Sequence, residues 1–129
     1  MTPFPTPIAS VKGQGPAHTS VAQWRRQRLS GAVLIPLGIW FLIEMLRHTQ
    51  ADYHTVVTWI AQPWVSATLA LFVGAVFYHG ALGLQVVIED YIPNPFWQMA
   101  LIIKVKALSL VMAALSWFFI IRIAIIANG

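Results

Sequence analysis

Apolar residues dominate the chain in three long blocks, and a few polar positions punctuate them. The twelve Asp, Glu, Lys and Arg residues fall at Lys12, Arg25, Arg26, Arg28, Glu44, Arg47, Asp52, Glu89, Asp90, Lys104, Lys106 and Arg122. They leave charge-free runs at 29–43, 53–88 and 107–121. A helix needs about 20 largely apolar residues to cross the hydrocarbon of a bilayer. The pattern therefore predicts spans at 29–46, 64–88 and 99–126. Arg28 and Arg47 bound the first, and Pro63 and Glu89 bound the second. Lys104 and Lys106 stand at the start of the third, where their stems can snorkel. No segment keeps the alternation of a membrane β-barrel. The expected fold is an all-α membrane protein of three transmembrane helices.

Composition sharpens this picture. The chain has 129 residues, 58% hydrophobic and only 9% charged. Soluble domains carry roughly a quarter charged residues, so a water-facing globule is excluded. Eight Lys and Arg against four Asp and Glu are too sparse for a nucleic-acid surface. There is no cysteine, which removes disulfides, iron–sulfur ligation and Cys-based zinc sites.

Residues 1–28 form a separate zone, read as an extended N-terminal tail; 29–127 is then the three-helix membrane domain. The tail carries four prolines in MTPFPTPIASVKGQGPAHTS and lacks the apolar stretch of a signal peptide. Lys and Arg counts set the orientation. Lys12, Arg25, Arg26, Arg28, Lys104 and Lys106 share one side, against Arg47 and Arg122 on the other. The N-terminus and the 89–98 connection are therefore expected in the cytoplasm. Trp24, Trp59, Trp64 and Trp97 sit at span edges, as an aromatic belt would place them. Pro36 is expected to kink the first span.

Polar groups within the spans cost free energy unless something uses them, so His79 stands out. At 100° per residue, Phe72, Ala75, Gly83, Val86 and Asp90 all fall within about 40° of His79 on one helical stripe. Small residues one turn either side of an imidazole would let a flat group lie close, which suits axial ligation of haem iron. The competing reading is a histidine that hydrogen-bonds a neighbouring helix, with Gly83 serving packing. Asp90 lies roughly 16 Å further along the same face, and Tyr91 follows it. A phenol beside a carboxylate can donate a hydrogen bond to a quinone carbonyl and help deliver protons. The competing reading there is a helix end with a belt tyrosine and solvated acids.

Taken together, His79 followed after eleven positions by Asp90-Tyr91, in the second of three spans after a basic tail, resembles the small hydrophobic membrane anchor of succinate dehydrogenase (respiratory complex II), the D-type subunit. The stretch W24-R25-R26-Q27-R28-L29-S30-G31-A32 is similar to that family's approach to its first helix. The resemblance covers most of 24–127 and leaves the tail outside. It implies haem b sandwiched between two anchor subunits, with His79 as one axial ligand of its iron. It further implies a ubiquinone site containing Tyr91 and Asp90. The implied partners are a soluble flavoprotein, a soluble iron–sulfur subunit and a second, C-type anchor. The lack of an Arg-rich, Ser-rich transit segment favours a bacterial inner membrane over a mitochondrial one. On that reading the chain has no activity alone. Arg28 could pair with a haem propionate or lie near the quinone, or serve only as a positive-inside anchor; Ser30 is a weaker quinone-site candidate. Glu44 and Arg47 are expected to pair. His18, His48 and His54 are expected to be solvated. Two alternatives stay open: the anchor of a fumarate reductase or other membrane cytochrome b, and a structural assembly subunit without cofactor.

Overall fold

A computed structural model describes the backbone from residue 15 to the end of the chain and the side chains from Val21 onward. Among the described residues all regular structure is helical. Helix α1 runs Gly15–Arg47, α2 Tyr53–Ala61, α3 Pro63–Tyr91 and α4 Pro95–Asn128. Helices α1, α3 and α4 are each long and apolar enough to cross a membrane, in agreement with the three spans expected.

The helices outrun the spans. Helix α1 begins at Gly15, so residues 15–28, expected to be extended, are helical; residues 1–14 lie outside the described part. The reason is local. From Ser20 to Arg28 there is neither Gly nor Pro, and once a span is helical each added residue costs little. Helix α1 also continues through Pro36. Helices α3 and α4 both start on proline, Pro63 and Pro95, whose missing N–H is unused in a first turn. Before Pro95, the Asn94 side chain accepts a hydrogen bond from the Phe96 N–H at 2.9 Å.

The connection 47–63 holds a helix that the apolar pattern did not predict. Asp52 caps α2, accepting from the Thr55 N–H at 3.2 Å and from the Thr55 hydroxyl. These bonds hold the Asp52 carboxyl below its ordinary pKa. Helix α2 folds back over the ends of α3 and α4. Its Trp59 joins Val65 and Leu69 in the core, with Trp40, Phe41, Ile60 and Ile120 packed around them. Trp59 is therefore a core residue, not part of an aromatic belt. Trp24, Trp64 and Trp97 are exposed as the belt requires.

Helix α3 is the middle element. It packs on α4 along one side and on α1 along another, and α1 and α4 have no comparable contact. The Trp117 indole N–H donates to the Ala70 carbonyl at 2.8 Å, and Gly74 makes room for that ring: a Cβ there would lie 3.0 Å from Trp117 Cζ2. Asn128 donates to the Ala61 carbonyl at 2.7 Å, tying the end of α4 to the end of α2. Most large apolar side chains, such as Leu29, Ile35, Leu110 and Phe118, remain on the outside. That surface suits lipid and neighbouring subunits.

Candidate functional site

Of the stripe predicted on α3, Phe72, His79 and Gly83 face α1, while Ala75 lines the concavity toward α4. Phe72 stacks on Phe41 with centroids 4.7 Å apart. Next, His79 Nδ1 lies 2.9 Å from the Ser30 hydroxyl oxygen. One turn on, Gln27 lies over Gly83, where a Cβ would sit 3.6 Å from the amide nitrogen. At the end of the seam, the Gln23 amide donates to Glu89 at 3.4 Å. Gln27, Ser30 and Gly31 share a face of α1 because positions three and four apart are neighbours on a helix.

Glycine at position 31 is what lets the imidazole in. A Cβ there would lie 3.3 Å from His79 Cε1, tighter than a relaxed contact. It makes a narrow cradle for that edge of the ring. The Ser30 hydroxyl also reaches the Gln27 carbonyl oxygen at 3.0 Å. The expected packing hydrogen bond is thus present, but it occupies one ring nitrogen only. Among the described residues His79 Nε2 has no hydrogen-bond partner. The Gln27 side-chain carbonyl oxygen, which belongs to the side chain over Gly83, is buried with no hydrogen-bond partner. A buried polar atom of this kind is uncommon in native proteins.

Asp90 and Tyr91 end α3 at the rim, away from His79 and open to the outside. Tyr91 is 79% exposed, so this chain covers little of it. The carboxylate that holds this corner is Glu89, not Asp90. Gln85 donates to Glu89 at 2.8 Å, and Gln98 donates to its backbone carbonyl at 3.1 Å. Arg28 is stacked on Trp24, its guanidinium carbon 4.8 Å from the ring centroid. The described structure does not bring it to His79.

Glu44 and Arg47 pair at 3.1 Å as expected. Contrary to expectation, His48 is not solvated. Its Nδ1 lies 2.8 Å from the Glu44 carbonyl oxygen and its ring packs on Trp59 with centroids 4.5 Å apart. His54 is exposed, as expected, and the side chain of His18 lies outside the described residues. A concavity of about 690 Å³ lies between α3 and α4, with Arg26 and Lys106 among its lining residues. His79 does not line it, so it is separate from the α1–α3 seam.

Sequence reasoning did not single out Gln27 and placed Ser30 only as a weak quinone-site candidate. The quinone role suggested for Ser30 has no support in its contacts, which go to His79 and Gln27. The i, i+3, i+4 spacing of Gln27, Ser30 and Gly31 opposite a membrane histidine was the available signal.

These features define a polytopic helical membrane protein, with one imidazole seated against a glycine of a neighbouring helix and an exposed rim at Tyr91. The chain belongs to the succinate dehydrogenase/fumarate reductase transmembrane subunit family, whose family model matches residues 2–123. Among similar curated proteins is the succinate dehydrogenase hydrophobic membrane anchor subunit of Rickettsia bellii. It is 32% identical over 107 residues, covering 83% of this chain and 86% of the relative. The protein of that name from Rickettsia conorii is 30% identical, covering 84% and 86%. That from Rickettsia felis is 29% identical, covering 86% and 88%. No solved structure matches the chain. The bacterial source of these relatives and the three apolar spans agree with a multi-pass inner-membrane protein.

Proposed function

We propose that the chain is the membrane anchor of a succinate dehydrogenase, that it gives His79 to a haem b, and that it forms part of a ubiquinone site through Tyr91 and Asp90. The observation that carries the haem reading is the cradle. One imidazole nitrogen is held by α1, the other has no partner among the described residues, and Gly31 leaves room for the ring edge. Among the described residues no three His, Asp or Glu side chains converge on a metal site. A single histidine suits an iron whose other ligands come from a porphyrin and from a partner subunit. The residues therefore fit the group.

In this reading the His79 Nε2 lone pair would hold the haem iron, and Gly31 admits the ring edge. Haem, when bound, would supply a one-electron store. At the rim the Tyr91 hydroxyl donates a hydrogen bond to a quinone carbonyl oxygen, and the neighbouring Asp90 carboxylate can hold a proton bound for it. Reduction of the quinone takes two electrons and two protons. The electrons come from succinate by way of a flavoprotein and an iron–sulfur subunit, since this chain has no cysteine for clusters. The high exposure of Tyr91 fits a pocket whose other walls belong to the iron–sulfur subunit and a second, C-type anchor. The family description also covers fumarate reductase, whose anchor would do the same chemistry with electrons running the other way.

For the quinone site, Tyr91→Phe in the purified complex is expected to lower succinate–quinone reductase activity roughly 10²-fold or more, while succinate oxidation by an artificial acceptor persists. Equal loss of both activities would instead mean that the complex fails to assemble, and retention of both would remove Tyr91 from the site.

A further inference from the structure

We infer that Ser30 is a positioning residue for His79: its hydroxyl oxygen accepts the His79 Nδ1–H, which fixes the tautomer whose bare Nε2 lone pair can bind iron. The inference rests on the haem reading above and deepens it.

The chemistry follows from counting protons. A serine hydroxyl has one hydrogen to give and two lone pairs to accept with. At Ser30 the oxygen lies 3.0 Å from the Gln27 carbonyl oxygen, which can only accept. That contact takes the hydroxyl hydrogen and leaves the lone pairs turned toward His79 Nδ1 at 2.9 Å. Nδ1 must then be the donor. A neutral imidazole has one N–H, so Nε2 is the acceptor. The opposite arrangement puts the proton on Nε2, where no described residue accepts it. A protonated Nε2 would also have no lone pair with which to ligate.

Two further features hold the arrangement. Gly31 lets the ring edge approach α1 closely enough for the bond, with 3.3 Å between a would-be Cβ and Cε1. The chain of bonds also runs one way, from His79 to Ser30 to the Gln27 carbonyl. Each bond in such a chain polarises the next, which makes the hydroxyl oxygen a better acceptor than an isolated serine. A histidine whose distal N–H is hydrogen-bonded is a more electron-rich ligand. It favours ferric over ferrous iron, so removing the bond raises the haem midpoint potential.

The test uses the purified complex in detergent, with haem content, reduced-minus-oxidised spectrum and a potentiometric titration of haem b. Ser30→Ala is expected to weaken haem retention roughly tenfold and to move the midpoint potential upward. Ser30→Thr, which keeps the hydroxyl, is expected to restore both. Should Ser30→Ala fail to assemble, Ser30→Cys carries the same test, because its sulfur is a weak acceptor in nearly the same volume. A wild-type midpoint and wild-type haem retention in either variant would overturn the inference. His79→Ala separates this outcome from failure of the haem reading. If that variant keeps an unchanged b-type spectrum, the ligand assignment is wrong whatever Ser30 does. If it loses the spectrum while Ser30→Ala behaves as wild type, only the role of Ser30 is lost.

Discussion

Two histidines on the same helical bundle show how differently one side chain can be used. His48 and His79 each place Nδ1 against an oxygen, 2.8 Å from the Glu44 carbonyl in one case and 2.9 Å from the Ser30 hydroxyl in the other. The acceptor for His48 is the carbonyl one turn back, at the end of α1, which also accepts the His48 backbone N–H at 3.1 Å. The His48 ring packs on Trp59, and the Glu44 carboxylate stands 3.8 Å away. These contacts close the C-terminal end of α1 against α2. The acceptor for His79 comes from another helix, 49 residues away in sequence. Against that ring lies Gly31, and the second nitrogen has no hydrogen-bond partner among the described residues. A packed histidine and a ligand-ready histidine differ less in burial than in whether the surroundings complete the ring or clear a space beside it.

Substitutions can break this contrast, and the largest effect should come from the histidines themselves. His79→Ala is expected to abolish the b-type spectrum of the complex, whereas His48→Ala leaves it intact. Loss of haem in both would mean that the outer clamp and the cradle are one cooperative unit. A smaller effect is expected at the clamp, where Glu44 is only 7% exposed. Arg47→Ala strands that carboxylate without its cation and is expected to lower stability by about 1–3 kcal/mol, seen as a fall in Tm of the complex. Glu44→Gln removes the charge and keeps the shape, so it should cost less than Arg47→Ala; the reverse order would show that the ion pair is not what holds the clamp.

The smallest expected effect is a pH dependence at the cap of α2. The Thr55 hydroxyl and N–H stabilise the ionised Asp52 carboxyl and depress its pKa in the folded state. A depressed carboxyl contributes stability that is fully present above the unfolded pKa of about 3.9 and fades as pH falls through the lower folded value. Thermal unfolding followed from neutral to acid pH should therefore show a loss in wild type that is absent in Asp52→Asn. Identical acid profiles would mean that the cap adds nothing to folding.

Much of the architecture was legible in the amino-acid order. Twelve charges placed at their positions gave three spans whose helices the structure contains, because a bilayer forces long apolar runs into helices that satisfy their own backbone. The Glu44–Arg47 pair followed from helical spacing alone. Helix α2 was missed because its apolar residues lie within a connection, and its stability comes from Trp59 packing on Val65 and Leu69. The helical residues 15–28 were missed because a polar segment beside prolines reads as extended when counted for hydrocarbon length.

At the site the division is sharper. His79, Gly83 and Asp90 share a face by the geometry of one helix and Tyr91 is the next residue after Asp90, so spacing along the chain was enough to group them. It also singled out Asp90 as a charge without a simple pair, and among the described residues Asp90 makes no ion pair. What the sequence by itself could not determine is which nitrogen of His79 is held and by what. That depended on α1 lying antiparallel against α3 in one register, with Ser30 opposite His79 and Gln27 opposite Gly83. Single-helix periodicity says nothing about register between two helices. Only side-chain packing across the seam, Phe41 on Phe72 and the imidazole against Gly31, decides it.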